Sequence, residues 1–415
     1  MFFFPPDKSD SKLDKYADFE DLVYRFIDGA LSPGETIVRN RHLRADFLLP
    51  EGCFRLGLDP FTAIEVITVL QFDTVKRYLF HWVKEGYSGS YNYVIVYGES
   101  SIPDEKNKQY EGVTVISFDD LQKREPSVTP SQIAPKDWRE ERKGRVIEAQ
   151  SDSVLGKVSL FLGAGVSKSA KLPLWTELLE RLITVLNDEG IALDYSKVSK
   201  DADNSNLIIG RALRHSFGST EKFVQVVRDA LYQTSSDPGI LVETISEIIA
   251  MNNNIEKVIT YNFDDVLEQK MIIEYCSITN ENRIDPGTFP IYHVHGFIPE
   301  SKSSVDNPSS IVFSEEAYHE VYKESYHWSN IEQLHALANT TCFFIGLSMK
   351  DPNIRRLLDV AQERDRDRYH YAFLYRREFK DPDMVDKLLN ELRVKVIWFW
   401  SLHQLPGLLK KVFAL

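Results

Sequence analysis

The chain is poor in cysteine, with three in 415 residues, Cys53, Cys276 and Cys342, and none of them stands in a C-x-x-C pair. A disulfide framework and a four-cysteine zinc site are therefore excluded within one chain. Long hydrophobic runs are missing too: none reaches the roughly 20 residues that span a bilayer. The opening Met1-Phe2-Phe3-Phe4-Pro5-Pro6 is apolar but too short for a signal peptide and lacks a basic lead, so a cytoplasmic location with no membrane association is expected. Positive charge is in deficit, with 49 Lys and Arg against 62 Asp and Glu and a net charge of -13. Broad nucleic-acid binding rests on phosphate neutralisation by Lys and Arg, and this chain alone is not expected to provide it. Internal repeats and low-complexity tracts are also absent.

What is present is the composition of a soluble globular protein: 43% hydrophobic, 27% charged and 12% aromatic residues. At this length two domains are expected. Residues 1–121 read as a small α/β domain. In it, residues 18–30 carry Phe19, Leu22, Val23, Phe26 and Ile27 at helical spacing. Strands are expected at 45–49, 63–67, 93–97 and 113–118, with a helix at 73–84. Residues 122–150 read as a proline-containing linker followed by a charged helix from Trp138. From 151 to 415 strands and helices alternate, with strands expected at 157–162, 257–261, 291–294, 341–346, 369–375 and 395–399. That alternation predicts an α/β fold, a mostly parallel sheet covered on both faces, interrupted by a polar helical insertion at 191–250.

Four of these strands end in groups that can do chemistry. Val158–Leu162 runs into Gly163-Ala164-Gly165-Val166-Ser167, where glycine allows close backbone approach to phosphate and a helix begins. The turn departs from the G-x-G-x-x-G fingerprint because position 168 is Lys. Val258-Ile259-Thr260-Tyr261-Asn262-Phe263-Asp264 ends a strand in polar side chains. Ile291-Tyr292-His293-Val294-His295-Gly296 delivers a histidine beside a glycine, and Phe343-Phe344-Ile345-Gly346-Leu347-Ser348 is followed by Asp351-Pro352. Taken singly, each is equally an ordinary βα turn, a helix cap or a structural histidine. Together they would converge, because ligands of open parallel sheets bind at the carboxyl ends of the strands.

In that order, Gly163–Ser167, Thr260–Asp264, His295-Gly296 and Gly346–Ser348 resemble the motifs of the Sir2 (sirtuin) family over about residues 155–415. Leu172-Pro173-Leu174-Trp175 falls where that family has its proline-containing cofactor-loop segment. The resemblance implies a Rossmann-like sheet and NAD+ bound in an extended pose. It implies that Gly163, Ala164, Gly165 and Ser167 contact the pyrophosphate, with Pro173, Trp175, Thr260 and Asp351 among the binding residues. Gly346 and Ser348 would lie near the adenosine, Asn262 and Asp264 would face the nicotinamide, and His295 would act as general base. Sirtuin deacylases carry two C-x-x-C pairs after the catalytic histidine, whereas the segment from Gly296 to Thr341 here holds no cysteine. No zinc is therefore expected. The chain then looks most like the zinc-less Sir2-type NADases of antiphage defence that partner a HerA-like hexameric ATPase.

The first domain, with Glu20, Asp46 and Glu65, resembles the core of restriction-endonuclease-like folds. Those folds use a Lys two positions after the Glu, and position 67 is Ile; Lys76 is a displaced substitute. A degenerate, inactive domain that docks the partner or builds a homo-oligomer is expected. The expected activity is NAD+ glycohydrolase. The alternatives are a zinc-free deacylase or ADP-ribosyltransferase, and a non-catalytic NAD or ADP-ribose sensor.

Overall fold

The structure is a computed structural model. It describes residues 9–39, 45–70, 91–100, 109–110, 113–128, 138–190, 206–233, 239–280, 287–301, 311–324, 327–362, 368–379 and 381–414. The chain divides into two compact units, Met1–Asp137 with Arg376–Lys380, and Trp138–Tyr375 with Asp381–Leu415.

In the first unit, the helix Ser9–Ala30 buries Val23, Phe26, Ile27 and Ala30, one stripe at three- and four-residue spacing. The stripe covers a six-stranded sheet built from β1 (Val38–Arg39), β2 (Phe47–Leu49), β3 (Thr62–Leu70), β4 (Asn92–Ser100), β5 (Gln109–Tyr110) and β6 (Val113–Ser117), in the order β1-β2-β3-β4-β6-β5. β3, β4 and β6 are parallel, and β2 runs antiparallel to β3. The expected helix at 73–84, with Lys76, lies outside the described residues. The start of the expected linker is helical: Ser117 caps the helix Phe118–Arg124 by accepting the Asp120 N–H, and this carries the helix through residue 124.

Glu20, Asp46 and Glu65 are all buried in this unit. Arginines engage Glu20 and Asp46. Arg39 donates to Glu20 at 2.9 Å, Arg377 lies 3.2 Å from Glu20, and the Arg377 guanidinium also bonds Asp46. The second Asp46 oxygen accepts the Val66 N–H at 2.8 Å and the Tyr16 hydroxyl at 3.1 Å. Among the described residues, no group of His, Cys, Asp and Glu is arranged to hold a metal ion.

The second unit opens on the charged helix Trp138–Leu155. Its sheet comprises β7 (Val158–Leu162), β8 (Ile255–Thr260), β9 (Tyr275–Ile278), β10 (Phe289–His293), β11 (Thr341–Ile345), β12 (His370–Tyr375) and β13 (Val394–Phe399). All neighbours are parallel, in the order β13-β12-β11-β7-β8-β10-β9. β7 and β11 are buried at every position, so their sequences read as unbroken apolar runs rather than alternating ones. The mixed α/β architecture with a parallel sheet is the one expected. β9 is an additional edge strand; its four residues, half of them polar or exposed, left no periodic signal.

From β7 the chain builds outward through β8 and β10, then returns to place β11, β12 and β13 on the other side. The order therefore reverses between β7 and β11, and the crevice at that switch point is where such sheets receive ligands. One core packs the helices Gly239–Met251 and Gln404–Val412 on the sheet. A second core joins the helices Trp175–Asp188, Asn206–Ser216 and Thr220–Leu231 to Phe263, Ile298, Ile311 and Phe313, which follow the ends of β8 and β10. Of the expected insertion, Asn206–Ser216 and Thr220–Leu231 thus pack beside the carboxyl ends of the strands, whereas Gly239–Met251 belongs to the core on the sheet. Among the described residues, no helix is long and apolar enough to cross a membrane.

Candidate functional site

The site begins where the loops after β7 and β11 meet. A Cβ on Gly163 would stand 2.6 Å from the Gly346 carbonyl oxygen, and one on Gly165 would stand 2.8 Å from Gly346 Cα. Gly346 has φ of 71°, and its own Cβ would lie 2.6 Å from the Val166 nitrogen. The three glycines therefore let two backbones touch, with the Gly165 N–H donating to the Gly346 carbonyl at 3.0 Å. That N–H is engaged inside the protein, so in this structure the glycines first serve loop-to-loop contact. Ala164 opens the short helix Ala164–Ser169 and is half-buried.

Ser167, Asn262 and Asp264, from two different strand ends, form one hydrogen-bonded chain. The Asn262 amide donates to the Gly163 carbonyl at 3.0 Å and to the Ser167 hydroxyl at 2.8 Å. The Ser167 hydroxyl in turn donates to Asp264 Oδ2 at 2.7 Å. The Asn262 N–H donates to the Thr260 hydroxyl at 3.1 Å. Asp264 is buried and also accepts the Val266 N–H at 3.3 Å, an Asx turn rather than the expected helix cap, since the 3-10 turn Glu268–Lys270 that follows starts from Leu267. Burial pushes the Asp264 carboxyl up to about 6; the Ser167 and Val266 bonds hold it down, Glu268 raises it further and His293 opposes that. An enclosed cavity of about 10 Å³ lies among Ser167, Thr260, Asn262, Asp264 and Glu268. That is the size of a single water.

His295 follows β10 and is half-buried, its ring edge-on to Tyr261 at 4.9 Å. Desolvation holds its imidazole below the ordinary histidine value, while the Asp351 carboxylate pulls the other way. The neutral ring of a lowered histidine is a proton acceptor at neutral pH. Tyr261 is itself pinned by its hydroxyl bond to Gln333. Asp351 caps the helix Pro352–Gln362: one of its oxygens accepts from the Asn353 N–H at 2.7 Å, the Tyr318 hydroxyl at 2.8 Å and the Ile354 N–H at 3.3 Å. Ser348 is exposed beyond β11. Pro173 is buried, and Trp175 packs its ring 4.5 Å from Phe313 and 6.1 Å from Phe263.

The structure thus brings Gly163, Gly165 and Gly346 together, and likewise Ser167, Thr260, Asn262 and Asp264. Trp175 adjoins Phe263, the residue between Asn262 and Asp264. Sequence reading missed His293, Glu268, Gln333 and Tyr318. No local pattern marks them, since each reaches its partner across the fold. A groove of about 610 Å³ lies elsewhere, lined by Thr341, Arg368, Tyr369, Tyr371 and Lys395. Those residues stand at the starts of β11, β12 and β13, the opposite end of the strands from the site.

Among curated proteins, none matches this chain. Similar solved structures include a Sir2 homolog–NAD complex, at 13% identity over 64% of this chain and 93% of that one, with a TM-score of 0.35. Sir2Tm bound to a propionylated peptide is 11% identical over 65% of this chain and 98% of that one, with a TM-score of 0.35. A structure from work on the mechanism and regulation of Sir2 enzymes is 12% identical over 65% and 95%, with a TM-score of 0.37. Likeness at this level assigns no chemistry to this chain. Residues 256–397 match the family model of the SIR2-like domain. That span runs from β8 to β13 and holds Asn262, Asp264, His295, Gly346, Ser348 and Asp351, so the match covers most of the strand ends that build the site.

Proposed function

We propose that this chain is an NAD+ glycohydrolase, cleaving NAD+ to nicotinamide and ADP-ribose. The observation that carries the reading is the hold on Asn262. Its amide nitrogen is used twice and its main-chain N–H once, while among the described residues no hydrogen bond uses its Oδ1. A fixed, non-titrating acceptor of this kind positions a water or a ribose hydroxyl. It stands in the match to the SIR2-like domain, together with a histidine whose base form is favoured.

Nicotinamide leaves ribose as a neutral ring from a cationic precursor, so the leaving group needs no proton. The C1′–N bond breaks with its electron pair going to the ring. A water oxygen bonds C1′, and the proton it sheds passes to the His295 imidazole. Asn262 Oδ1 orients that water, and Asp264 anchors the carboxamide. General-base help of this kind contributes about 10²–10⁴ in rate. The loops at Gly163–Ser167 and Gly346–Ser348, with Trp175 and Pro173 beside them, would hold the rest of the dinucleotide. The cysteine-free stretch from Gly296 to Thr341 leaves no zinc module to seat an acyl peptide, which favours hydrolysis over deacylation.

The same proposal takes the protein to deplete NAD+ in antiphage defence, as a homo-oligomer with a HerA-like hexameric ATPase. The support is the resemblance to that branch and a first unit in which arginines engage the buried Glu20 and Asp46. Purified protein incubated with NAD+, with and without such an ATPase, tests the reading by free nicotinamide. Release in either condition supports it. Binding of NAD+ without release favours a sensor, and release that requires an acyl peptide favours a deacylase.

A further inference from the structure

His293 ends β10 two residues before His295 and is fully buried. Both of its ring nitrogens face oxygen: Nδ1 lies 3.2 Å from the Asn262 carbonyl, and Nε2 lies 2.6 Å from Glu268 Oε1. A carbonyl can only accept, so Nδ1 carries a proton. Glu268 Oε1 also accepts the Ser277 hydroxyl at 3.0 Å. Both ring nitrogens thus stand against oxygen, the contact pattern of an imidazolium paired with a buried carboxylate. A charge this deep persists only when paired and hydrogen-bonded, and here both conditions are met.

We infer that His293 is a positioning residue for the proposed reaction, acting through Asn262. Its Nδ1–H ties down the Asn262 main-chain carbonyl. With that bond every polar atom of Asn262 other than Oδ1 is held inside the protein: N–H by Thr260, Nδ2 by Gly163 and Ser167, and carbonyl by His293. Glu268, itself bonded by Ser277, holds the ring from the far side, and Phe297 packs on it with centroids 4.2 Å apart. The arrangement leaves Asn262 one direction in which to act. It also sets a positive charge near Asp264 against the negative charge of Glu268, two opposed influences on the carboxyl that would anchor nicotinamide.

This inference rests on the NAD+ glycohydrolase reading for its kinetic part, and a second measurement is independent of turnover. Nitrogen NMR of histidine-labelled protein at neutral pH should show one ring with both nitrogens protonated, a signal absent from His293→Asn. A neutral ring in its place would overturn the ion pair whatever the enzyme does. In kinetics, His293→Leu should lower kcat for nicotinamide release about 10–100-fold, with KM for NAD+ within about twofold, because misplacement of a positioned group costs rate rather than binding. His293→Asn keeps a donor where Nδ1 stands and should recover most of kcat. If His293→Leu strands Glu268 and fails to fold, the double variant with Glu268→Gln removes the charge and the donor together and should show the same loss. A folded double variant working at the parent rate would overturn the positioning role. If the parent itself releases no nicotinamide in any condition, the function reading fails while the ring measurement still decides the pair.

Discussion

At the scale of single residues, the cost of building this site is concentrated on Asp264. Its folded value of about 6 lies above the ordinary 3.8, and burial is the leading cause. The folded state therefore binds that proton more tightly than the unfolded state. The contribution of this group to stability is highest below about 3.8, falls as pH rises from there to about 6, and is level above. The ionised carboxylate costs on the order of 2–3 kcal/mol at neutral pH. Asp264→Asn should thus raise the melting temperature at neutral pH while abolishing nicotinamide release, and the gain should shrink as the pH is lowered towards 4. A variant less stable than the parent at neutral pH would contradict the burial argument. The same titration sets the acid limb of activity. Release should fall as pH drops through about 6, where Asp264 takes up its proton, while His295, held below the ordinary histidine value by desolvation, stays in its base form at neutral pH. A rate–pH profile flat from pH 8 to about 5 would contradict the role of Asp264. Much of this was legible beforehand: Ser167, Asn262 and Asp264 stand out because strand ends place polar groups in one crevice. His293 was not. A histidine inside an apolar strand reads the same whether it pairs with Glu268 or with nothing, and Glu268 lies 25 positions away in the chain.

At the scale of elements, the switch point is held by glycine. Gly346 has a left-handed backbone, and its Cβ would meet the Val166 nitrogen. Gly346→Ala should destabilise the second unit by about 2–5 kcal/mol, summing the left-handed penalty and forced overpacking. Gly144 has open space around it on the exposed side of the helix Trp138–Leu155. Gly144→Ala should instead stabilise by about 0.5–1 kcal/mol. Urea unfolding of the two variants gives opposite signs if the account is right; equal effects would show that the loops do not press together. Strand existence was well marked along the chain, since buried parallel strands such as Phe343-Phe344-Ile345 are continuous apolar runs. Their pairing order was not marked. It depends on which strand returns beside β7, and only the fold decides that. Helices were expected within 191–250, but not that Asn206–Ser216 and Thr220–Leu231 pack through Phe263 and Phe313 while Gly239–Met251 joins the core on the sheet, because those contacts join segments far apart in sequence.

At the scale of the whole molecule, the proposal gives the two units different roles. In the first, Arg39 and Arg377 engage Glu20 and Asp46. The chain should leave plasmid DNA intact in the presence of magnesium; cleavage lost on Glu65→Ala would overturn that view. In the second, the SIR2-like domain matches residues 256–397, and the β7 loop completes the site from outside that span. The central claim is that this crevice hydrolyses NAD+. It is tested most directly by nicotinamide release from NAD+ with the HerA-like ATPase present, comparing the parent with folded Asn262→Ala and His295→Ala. The account predicts release by the parent and losses of about 10²-fold or more in each variant. Release undiminished in either variant, or none from the parent under any condition despite bound NAD+, would contradict it.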